Sequence, residues 1–321
     1  MKALKRCIFA VGAFQVSTYL YQIGHEIYAR NYRKPYDLKD RYGEGSYALV
    51  TGATEGIGKS YARTLAKRGL NIVLVGRNQE KLDCMKAEME CEYGVLVQTV
   101  KYDFLNSVDY TSLQQIDEET KDLDVSILVN NVGISAVQSF VDLEPKEIND
   151  LLVTNVFPVT FLSHAFERRF LKREGKSAII NVGSENGEVP FPYMQVYSGT
   201  KSYINHFTKS LQPENSGKID VLLHVAGFTR TNIGNRQKEQ LDPKHLSKVA
   251  TLETMAADPD ECTRDVLNSL GHETYVPGAL SHVIALELTK MFSPISIWAR
   301  GYAAKKMISW LKKDEEPPKS E

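Results

Sequence analysis

A tyrosine and a lysine four residues apart, Tyr197 and Lys201 in the stretch YSGTK, are the first candidates for chemistry in this sequence. On a helix, a spacing of four places both side chains on one face, where a phenol and an ammonium group can act on one ligand. The same spacing recurs at Tyr302 and Lys306 in YAAKK, where the neighbouring residues indicate no chemistry. The spacing alone is therefore weak, and the elements around the pair must decide its role.

Six short segments rich in β-branched residues alternate with longer helical ones along the chain. They are YALVTG, NIVLVG, VLVQTVKYDF, VSILVNNVG, SAIINVGS and IDVLLHVAG. Strands that are apolar on both faces and separated by helices form a parallel sheet that is covered on both sides. The sequence therefore predicts an α/β fold with a doubly wound parallel sheet, Rossmann-like, in a single domain that a hydrophobic N-terminal helix precedes.

The bulk composition excludes several classes of protein. With 39 basic and 40 acidic residues the net charge is −1, so no global field indicates nucleic-acid binding. The four cysteines show no CxxC spacing and the seven histidines form no HExxH pattern, so no metal site is predicted. Cys84 and Cys91 are seven residues apart, which is one face of a helix, and we expect them to be buried free thiols.

The predicted organisation divides the chain into five parts. In chain order they are a hydrophobic anchor or interfacial helix at 1–28, a linker at 29–45, a Rossmann-like catalytic domain at 46–278, an apolar helical segment at 279–312 and a charged tail at 313–321.

The N-terminal segment is a candidate for membrane contact. Residues 7–24 carry no charge, and this length is the lower bound for a helix that crosses a bilayer. Four polar residues weaken that interpretation, so an interfacial or a buried N-terminal helix stays open. Basic residues are more numerous after the segment than before it, which predicts a cytoplasmic main domain. The apolar segment at 279–312 offers a second membrane surface, or else an ordinary helix pair packed on the domain.

A glycine-rich loop follows the first predicted strand and opens the first helix of the domain. In TGATEGIG, Gly52, Gly56 and Gly58 allow backbone N–H groups and a helix N-terminus to approach a pyrophosphate. Glycines after a strand also serve tight turns, but three of them at this junction favour nucleotide binding.

The ends of the next two strands bear on the choice of cofactor. An NAD-selective site usually has an acid after the second strand, whereas this chain has Gly76 followed by Arg77. A cation there suits a 2′-phosphate, so we expect NADP(H), although Arg77 could also be a solvated residue at a helix start. Asp103 ends the third strand and could accept from an adenine amino group or cap the next helix.

These residues resemble the short-chain dehydrogenases/reductases, over roughly residues 41–300. The glycine loop fits the TGxxxGxG segment of that family, NNVG at 130–133 fits its NNAG segment, and Ser184 precedes Tyr197 by the 13 positions that the family uses. The resemblance implies a catalytic tetrad of Asn155, Ser184, Tyr197 and Lys201. It also implies a cofactor site that consists of Gly52, Gly56, Ile57, Gly58, Arg77, Asp103, Asn130, Gly133, Tyr197, Lys201 and Thr231.

Within the family, the sequence is most similar to the membrane-associated very-long-chain 3-oxoacyl-CoA reductases and 17β-hydroxysteroid dehydrogenases. Two positions depart from that branch: Gly183 stands where a second serine is usual, and Ala226 replaces a proline before the loop over the nicotinamide. We expect an altered loop geometry with the chemistry retained. The basic stretch NIGNRQKEQLDPKHLSKV could contact a CoA phosphate or be a solvated lid.

The resemblance implies that Tyr197 gives a proton to a ketone oxygen while NADPH gives a hydride. Lys201 would favour the tyrosinate and bind the ribose, Ser184 would donate to the substrate oxygen, and Asn155 would hold a water. The first hypothesis is reduction of 3-oxoacyl-CoA in fatty-acid elongation at the endoplasmic reticulum membrane, with the catalytic domain facing the cytoplasm. The rivals are a steroid or other lipid-ketone dehydrogenase and a cofactor-binding scaffold without catalysis. By resemblance, the helix that begins near Tyr197 is a homodimer surface.

Overall fold

The computed structural model describes residues 1–215, 217–231 and 256–309. The basic stretch after Thr231, the residue Trp310 and the charged tail lie outside the described residues.

A seven-stranded parallel sheet forms the centre of the molecule, with the strand order β3-β2-β1-β4-β5-β6-β7. The strands are β1 (Tyr47–Thr51), β2 (Asn71–Gly76), β3 (Val97–Lys101), β4 (Val125–Asn130), β5 (Ser177–Val182), β6 (Ile219–Val225) and β7 (Tyr275–Pro277).

The described helices lie on the two faces of the sheet or flank it. They are α1 (Lys2–Asn31), α2 (Leu38–Tyr42), α3 (Gly56–Lys67), α4 (Gln79–Tyr93), α5 (Tyr110–Glu119), α6 (Pro145–Lys172), α7 (Gln195–Glu214), α8 (Pro259–Ser269), α9 (Leu280–Met291) and α10 (Ser293–Ile308). Short 3-10 turns occupy Phe104–Asn106, Phe140–Asp142 and Glu185–Gly187.

Alternate residues of the strands pack into two separate hydrophobic clusters, one on each face of the sheet. In β1, Val50 packs into the cluster on one face of the sheet and Leu49 into the cluster on the other. Leu74 and Val73 of β2 divide in the same way. Because the central strands are buried on both faces, most of their side chains are apolar, and the prediction of a doubly wound, Rossmann-like single domain is confirmed.

The strand β7 did not appear in the sequence prediction. It spans three residues, and one of them is Pro277, which has no N–H to donate. It lies at the edge of the sheet, where that loss is tolerated.

The first helix is anchored to the far end of the chain. Arg30 of α1 donates to Asp265 at 2.5 Å and to the carbonyl oxygen of Pro277 at 2.7 Å. Residues 29–45, expected to be a linker, contain the end of α1 and the short helix α2, whose Leu38 and Tyr42 are buried. Over the described ranges, no helix combines the length and the apolar composition needed to cross a membrane.

The expectation of buried thiols in α4 is wrong, because Cys84 and Cys91 are exposed. The buried stripe of this helix consists of Leu82, Met85 and Met89. A helix that packs on the sheet buries one stripe, and the two cysteines lie outside it.

The sheet brings its functional loops together at one edge. The chain winds outward from β1 through β2 to β3 and then crosses back to β4 on the other side of β1. At such a reversal point, the loops beyond the carboxyl ends of the strands leave a crevice for a ligand.

Candidate active site

The glycine loop after β1 has the close packing that a pyrophosphate cradle needs. A Cβ atom added to Gly58 would lie 2.2 Å from the carbonyl oxygen of Gly52, so no larger residue fits there. Gly52 itself has φ +62, a conformation that favours glycine. Ile57 packs against the core below and fixes the start of α3. The loop therefore presents its backbone and the N-terminus of α3 to the crevice, as anion binding requires.

The structure also brings Thr231 to this loop. A Cβ atom added to Gly56 would lie 3.0 Å from Cγ2 of Thr231. The two residues are far apart in the sequence but neighbours in the crevice. This position is compatible with a place for Thr231 in the cofactor site that the resemblance implies.

An open pocket of about 680 Å³ lies beyond the ends of β2 and β3. Arg77, Asn78, Lys101 and Asp103 are among its lining residues. The carboxylate of Asp103 accepts from the backbone N–H of Leu105 at 3.2 Å, so the capping role that the sequence left open is present. The pocket adds Lys101, which the sequence analysis missed, as a second cation beside the exposed Arg77.

Asn130 lies below the crevice, in a network of amides within the sheet. Its Nδ2 donates to Oδ1 of Asn181 at 2.9 Å and to Oγ of Ser163 at 3.1 Å. The side chain is 5% exposed. The contacts of Nδ2 therefore join β4 to β5 and α6, and the place of Asn130 in the cofactor site stays a prediction.

Asn131 and Thr51 are the polar residues that hold the two central loops together. Nδ2 of Asn131 donates to the carbonyl oxygen of Thr51 at 2.9 Å, and Oγ1 of Thr51 accepts from the backbone N–H groups of Asn131 and Val132 at 2.9 and 3.1 Å. The sequence analysis did not single out either residue. The signal was present, since Thr51 opens TGATEGIG and Asn131 lies within NNVG.

Asn155 of α6 fastens the loop after β4. Its Oδ1 accepts from the backbone N–H of Ile134 at 2.8 Å, while its Nδ2 donates to the carbonyl oxygen of Ile134 and to Oγ1 of Thr200, both at 3.0 Å. A Cβ atom added to Gly133 would lie 3.3 Å from Oδ1 of Asn155 and 3.6 Å from Nζ of Lys201. Gly133 thus leaves the space in which two members of the predicted tetrad approach each other.

Ser184 is positioned by an asparagine that the sequence analysis missed. Nδ2 of Asn205 donates to the carbonyl oxygen of Ser184 at 3.1 Å, and its Oδ1 accepts from the N–H of Ser184 at 3.4 Å. A Cβ atom at Gly183 would lie 2.0 Å from that Oδ1. The departure at Gly183 is therefore explained, because a serine there would occupy the place of the Asn205 amide.

Tyr197 and Lys201 lie on one face of α7 as predicted, with Nζ of Lys201 5.8 Å from the centroid of the Tyr197 ring. Burial raises the pKa of Tyr197 to about 12, an effect that a hydrogen bond with Ser184 opposes and the Glu185 carboxylate increases. Burial lowers the pKa of Lys201 to about 8, and its ammonium donates to the carbonyl oxygen of Val182 at 2.8 Å. Tyr197 is thus kept protonated at neutral pH, poised to act as an acid.

The loop after β6 is held by a histidine in place of the family proline. Nδ1 of His282 accepts from the N–H of Gly227 at 3.2 Å, and Nε2 lies 3.1 Å from the carbonyl oxygen of Phe228. The carbonyl oxygen of Ala226 accepts from the N–H of Glu185 at 3.0 Å. The loop is therefore fixed on both sides although Ala226 lacks the stiffness of proline.

Fold and site together define a dinucleotide-dependent oxidoreductase of the Ser-Tyr-Lys type. The glycine loop, the crevice and the pocket fit a nicotinamide dinucleotide, which the loop and the start of α3 would hold by its phosphates. A model of the short chain dehydrogenase family matches residues 46–242. The chain belongs to this family.

Two relatives cover most of the chain. The very-long-chain 3-oxoacyl-CoA reductase-B of Danio rerio is 31% identical over 279 residues, which is 85% of this chain and 85% of the relative. The human 17-beta-hydroxysteroid dehydrogenase type 3 is 33% identical over 259 residues, 79% of this chain and 77% of the relative.

Solved structures agree with the fold. A short-chain dehydrogenase from Sphingobium yanoikuyae in complex with NADPH superposes with a TM-score of 0.65 at 26% identity, over 86% of this chain and all of the other. A structure that concerns 7beta-hydroxysteroid dehydrogenase stereoselectivity superposes with a TM-score of 0.70 at 26% identity, over 82% of this chain and 99% of the other. The chain is therefore a short-chain oxidoreductase whose relatives include lipid-ketone enzymes.

Proposed function

We propose that this protein uses NADPH to reduce the ketone of a 3-oxoacyl-CoA to the 3-hydroxy product in fatty-acid elongation. The observation that carries this proposal is the buried Tyr197, which is hydrogen-bonded with Ser184 and can give its proton to a ketone oxygen. The same residue would take that proton back in alcohol oxidation, so the choice of reduction rests on cellular NADPH, which is held mostly reduced. The name of the Danio rerio relative supports the choice of substrate.

Each catalytic side chain has a separate task in this proposal. The nicotinamide supplies the hydride. Ser184 donates to the substrate oxygen, and Tyr197 transfers its proton to that oxygen as negative charge develops there. Lys201, mainly protonated at neutral pH, stabilises the tyrosinate that remains. Asn155 holds α6, α7 and the loop at Ile134 together through its hydrogen bonds.

The preference for NADPH over NADH rests on charge at the end of β2. Arg77 and Lys101 line the pocket there, and Gly76 offers no carboxylate to a ribose 2′-hydroxyl. Two cations favour a 2′-phosphate. The Sphingobium yanoikuyae neighbour was solved with NADPH, which is compatible with this preference.

A substrate comparison with purified, detergent-solubilised protein tests the function. With NADPH, we expect 3-oxoacyl-CoA esters to give a higher kcat/KM than steroid 17-ketones, and the Tyr197→Phe variant to reduce neither. Faster reduction of the steroids would favour the second candidate, a 17β-hydroxysteroid dehydrogenase, which the human relative supports. Binding of NADPH without turnover of any ketone would instead indicate a scaffold.

We also propose that the chain attaches to the endoplasmic reticulum membrane with its catalytic domain in the cytoplasm. Apolar side chains are exposed on two helices: Phe9 and Phe14 on α1, and Ile295 and Trp298 on α10. α1 packs against α9, and α9 directly precedes α10 in the chain. Exposed aromatic and aliphatic side chains of this kind bind at lipid interfaces.

Flotation of the full-length chain with lipid vesicles tests the attachment. Glutamate at Phe9 and Phe14 should weaken binding if α1 carries it, and glutamate at Ile295 and Trp298 should do so if α10 contributes. Glutamate at the exposed Val141, which lies in a 3-10 turn of the domain, serves as the control. Failure of the unmodified chain to float with vesicles would refute the proposal.

A homodimer through α6 and α7 is the remaining proposal on partners. Leu152 and Leu171 of α6 and Tyr203 of α7 are exposed. Sedimentation of the detergent-solubilised protein should give a dimer that Leu152→Glu dissociates. A monomer at all concentrations would contradict this proposal.

A further inference from the structure

The C-terminal helix α10 reaches the turn that follows the catalytic serine. Nη1 of Arg300 donates to Oδ1 of Asn186 at 3.3 Å, and the guanidinium carbon lies 5.3 Å from the ring centroid of Phe191. The helix also packs closely on this turn at Gly301, where an added Cβ would lie 3.2 Å from Pro192. α10 therefore packs on residues 185–192, the segment that directly follows the catalytic serine.

The contact between α10 and this segment includes a partly buried ion pair. Glu185, the residue directly after Ser184, has its Oε1 3.8 Å from Nη2 of Arg300. The two side chains are 19% and 14% exposed. Burial raises the pKa of Glu185 and lowers that of Arg300, since neither charge fully replaces the water that the other has lost. The carboxylate also acts on Tyr197, whose pKa it raises. The pair is thus electrostatically part of the reaction site.

The guanidinium of Arg300 is held loosely. Besides the contacts to Asn186 at 3.3 Å and Glu185 at 3.8 Å, Nη2 donates to Oγ1 of Thr289 at 3.4 Å. Charge-assisted hydrogen bonds of arginine are usually about 2.7 to 2.9 Å long. A guanidinium has five N–H donors, so Arg300 retains capacity for an acceptor that a substrate brings.

We propose that Arg300 is a specificity-determining residue, whose guanidinium donates a hydrogen bond to a second substrate oxygen beside the ketone that is reduced. This inference rests on the proposed reduction of 3-oxoacyl-CoA. A 3-oxoacyl thioester has its thioester carbonyl one carbon away from the reacting ketone, whereas an isolated ketone has no oxygen there. The Glu185 carboxylate alone would repel that oxygen, and Arg300 offsets the repulsion.

Kinetics of two isomeric substrates test the assignment. A 3-oxoacyl-CoA and a 5-oxoacyl-CoA of equal chain length have the same charge, and they differ in the separation of the two carbonyl groups. Arg300→Gln should lower kcat/KM for the 3-oxo isomer by about 10- to 100-fold, the usual weight of a hydrogen bond to a charged group. Arg300→Gln should change kcat/KM for the 5-oxo isomer by less than about threefold. Arg300→Lys should restore part of the kcat/KM that Arg300→Gln loses for the 3-oxo isomer.

Controls separate this role from a structural one. Lys305→Gln removes an exposed charge from the same helix and should leave both rates unchanged. The Kd for NADPH of Arg300→Gln should match that of the wild type, and the two proteins are compared at a temperature at which circular dichroism shows both to be folded, because loss of Arg300 leaves the Glu185 carboxylate without its partner. If the wild type reduces only the 3-oxo isomer, that isomer alone tests the assignment. Arg300→Gln should then lower kcat/KM for the 3-oxo isomer while the Kd for NADPH stays unchanged.

Two kinds of failure are distinguishable. A wild type without 3-oxoacyl-CoA reductase activity refutes the proposed function, and the assignment of Arg300 with it. The assignment of Arg300 alone is refuted if the wild type has the activity and Arg300→Gln keeps kcat/KM for the 3-oxo isomer within threefold. It is also refuted if Arg300→Gln lowers kcat/KM equally for both isomers.

Discussion

Replacing Gly183 by serine, the residue that the related branch has at this position, should damage this enzyme. The added Cβ would lie 2.0 Å from Oδ1 of Asn205 and 2.9 Å from Cδ1 of Leu223. Real side chains do not approach so closely, so the Asn205 amide would have to leave its place. Asn205 is 1% exposed and has no free volume to move into.

The cost can be worked from the contacts that are lost. Overpacking of a well-filled core costs about 1 to 3 kcal/mol. Displacement of Asn205 also breaks its two hydrogen bonds with the backbone of Ser184, each worth about 1 kcal/mol. Partial relaxation offsets some of this, and we expect the free energy of unfolding to fall by about 2 to 4 kcal/mol. Ser184 would lose its support, so kcat should fall by about 10- to 100-fold.

Denaturant unfolding and single-turnover reduction measure the two effects. Gly199→Ala is the matched control, because a Cβ at Gly199 meets nothing within 4 Å and this residue also lies in α7. That variant should be more stable by about 0.5 to 1 kcal/mol. In the double variant Gly183→Ser/Asn205→Ala, the coupling energy should be large and favourable. Wild-type stability and turnover in Gly183→Ser would refute this account of how the site is supported.

Further predictions concern the acid, the cofactor and the response to pH. Tyr197→Phe should lower kcat by about two to four decades at unchanged NADPH affinity, whereas Tyr302→Phe, which repeats the spacing on exposed α10, should keep full activity; retained turnover in Tyr197→Phe would contradict the assignment. Arg77→Ala should weaken the binding of NADPH by about 1.5 to 3 kcal/mol in a fluorescence titration and leave the binding of NADH unchanged. Equal losses of affinity for both cofactors would argue against a 2′-phosphate contact. Glu185→Gln should move the ascending limb of the pH–rate profile for alcohol oxidation to lower pH, since the carboxylate raises the pKa of Tyr197, and an unmoved limb would show that the two groups are not coupled. Burial lowers the pKa of His224 to about 3, so its contribution to stability is present above the unfolded value of 6.5 and is lost on acidification; between pH 7 and 5 this loss should be about 2 kcal/mol, and His224→Gln should remove it from the pH dependence of unfolding.

The fold was predictable from the sequence because its signal is local. The central strands are mostly apolar, and helix α4 has local signals at both ends, with Asn78 as its N-cap and Gly94 in a left-handed conformation after its end. The strand β7 escaped prediction because three residues that include a proline give no periodic pattern. The sequence of α4 does not show which face of the helix packs on the sheet. It therefore could not show that Cys84 and Cys91 lie outside the buried stripe.

The candidate site was predictable only for the residues that belong to motifs. Asn130 was assigned to the cofactor because the motif contains it, yet its partner is Asn181, with which it pairs across β4 and β5. The role of Gly183 depends on Asn205, 22 positions later, and that of Glu185 depends on Arg300, 115 positions later. Neither pairing has a local signal, because each arises from the packing of a helix on a loop.

The anchoring of α1 by Arg30 sets the order in which a ribosome can complete this molecule. The residues that bind Arg30, Asp265 in α8 and the carbonyl oxygens after β7, lie more than 230 positions downstream. At about 5 to 20 residues per second, translation takes roughly 10 to 50 s to reach them. Helix α1 therefore cannot form these contacts until more than 230 further residues have been made. Throughout that interval its apolar side chains are available to whichever chaperone, targeting factor or lipid surface first meets the nascent chain.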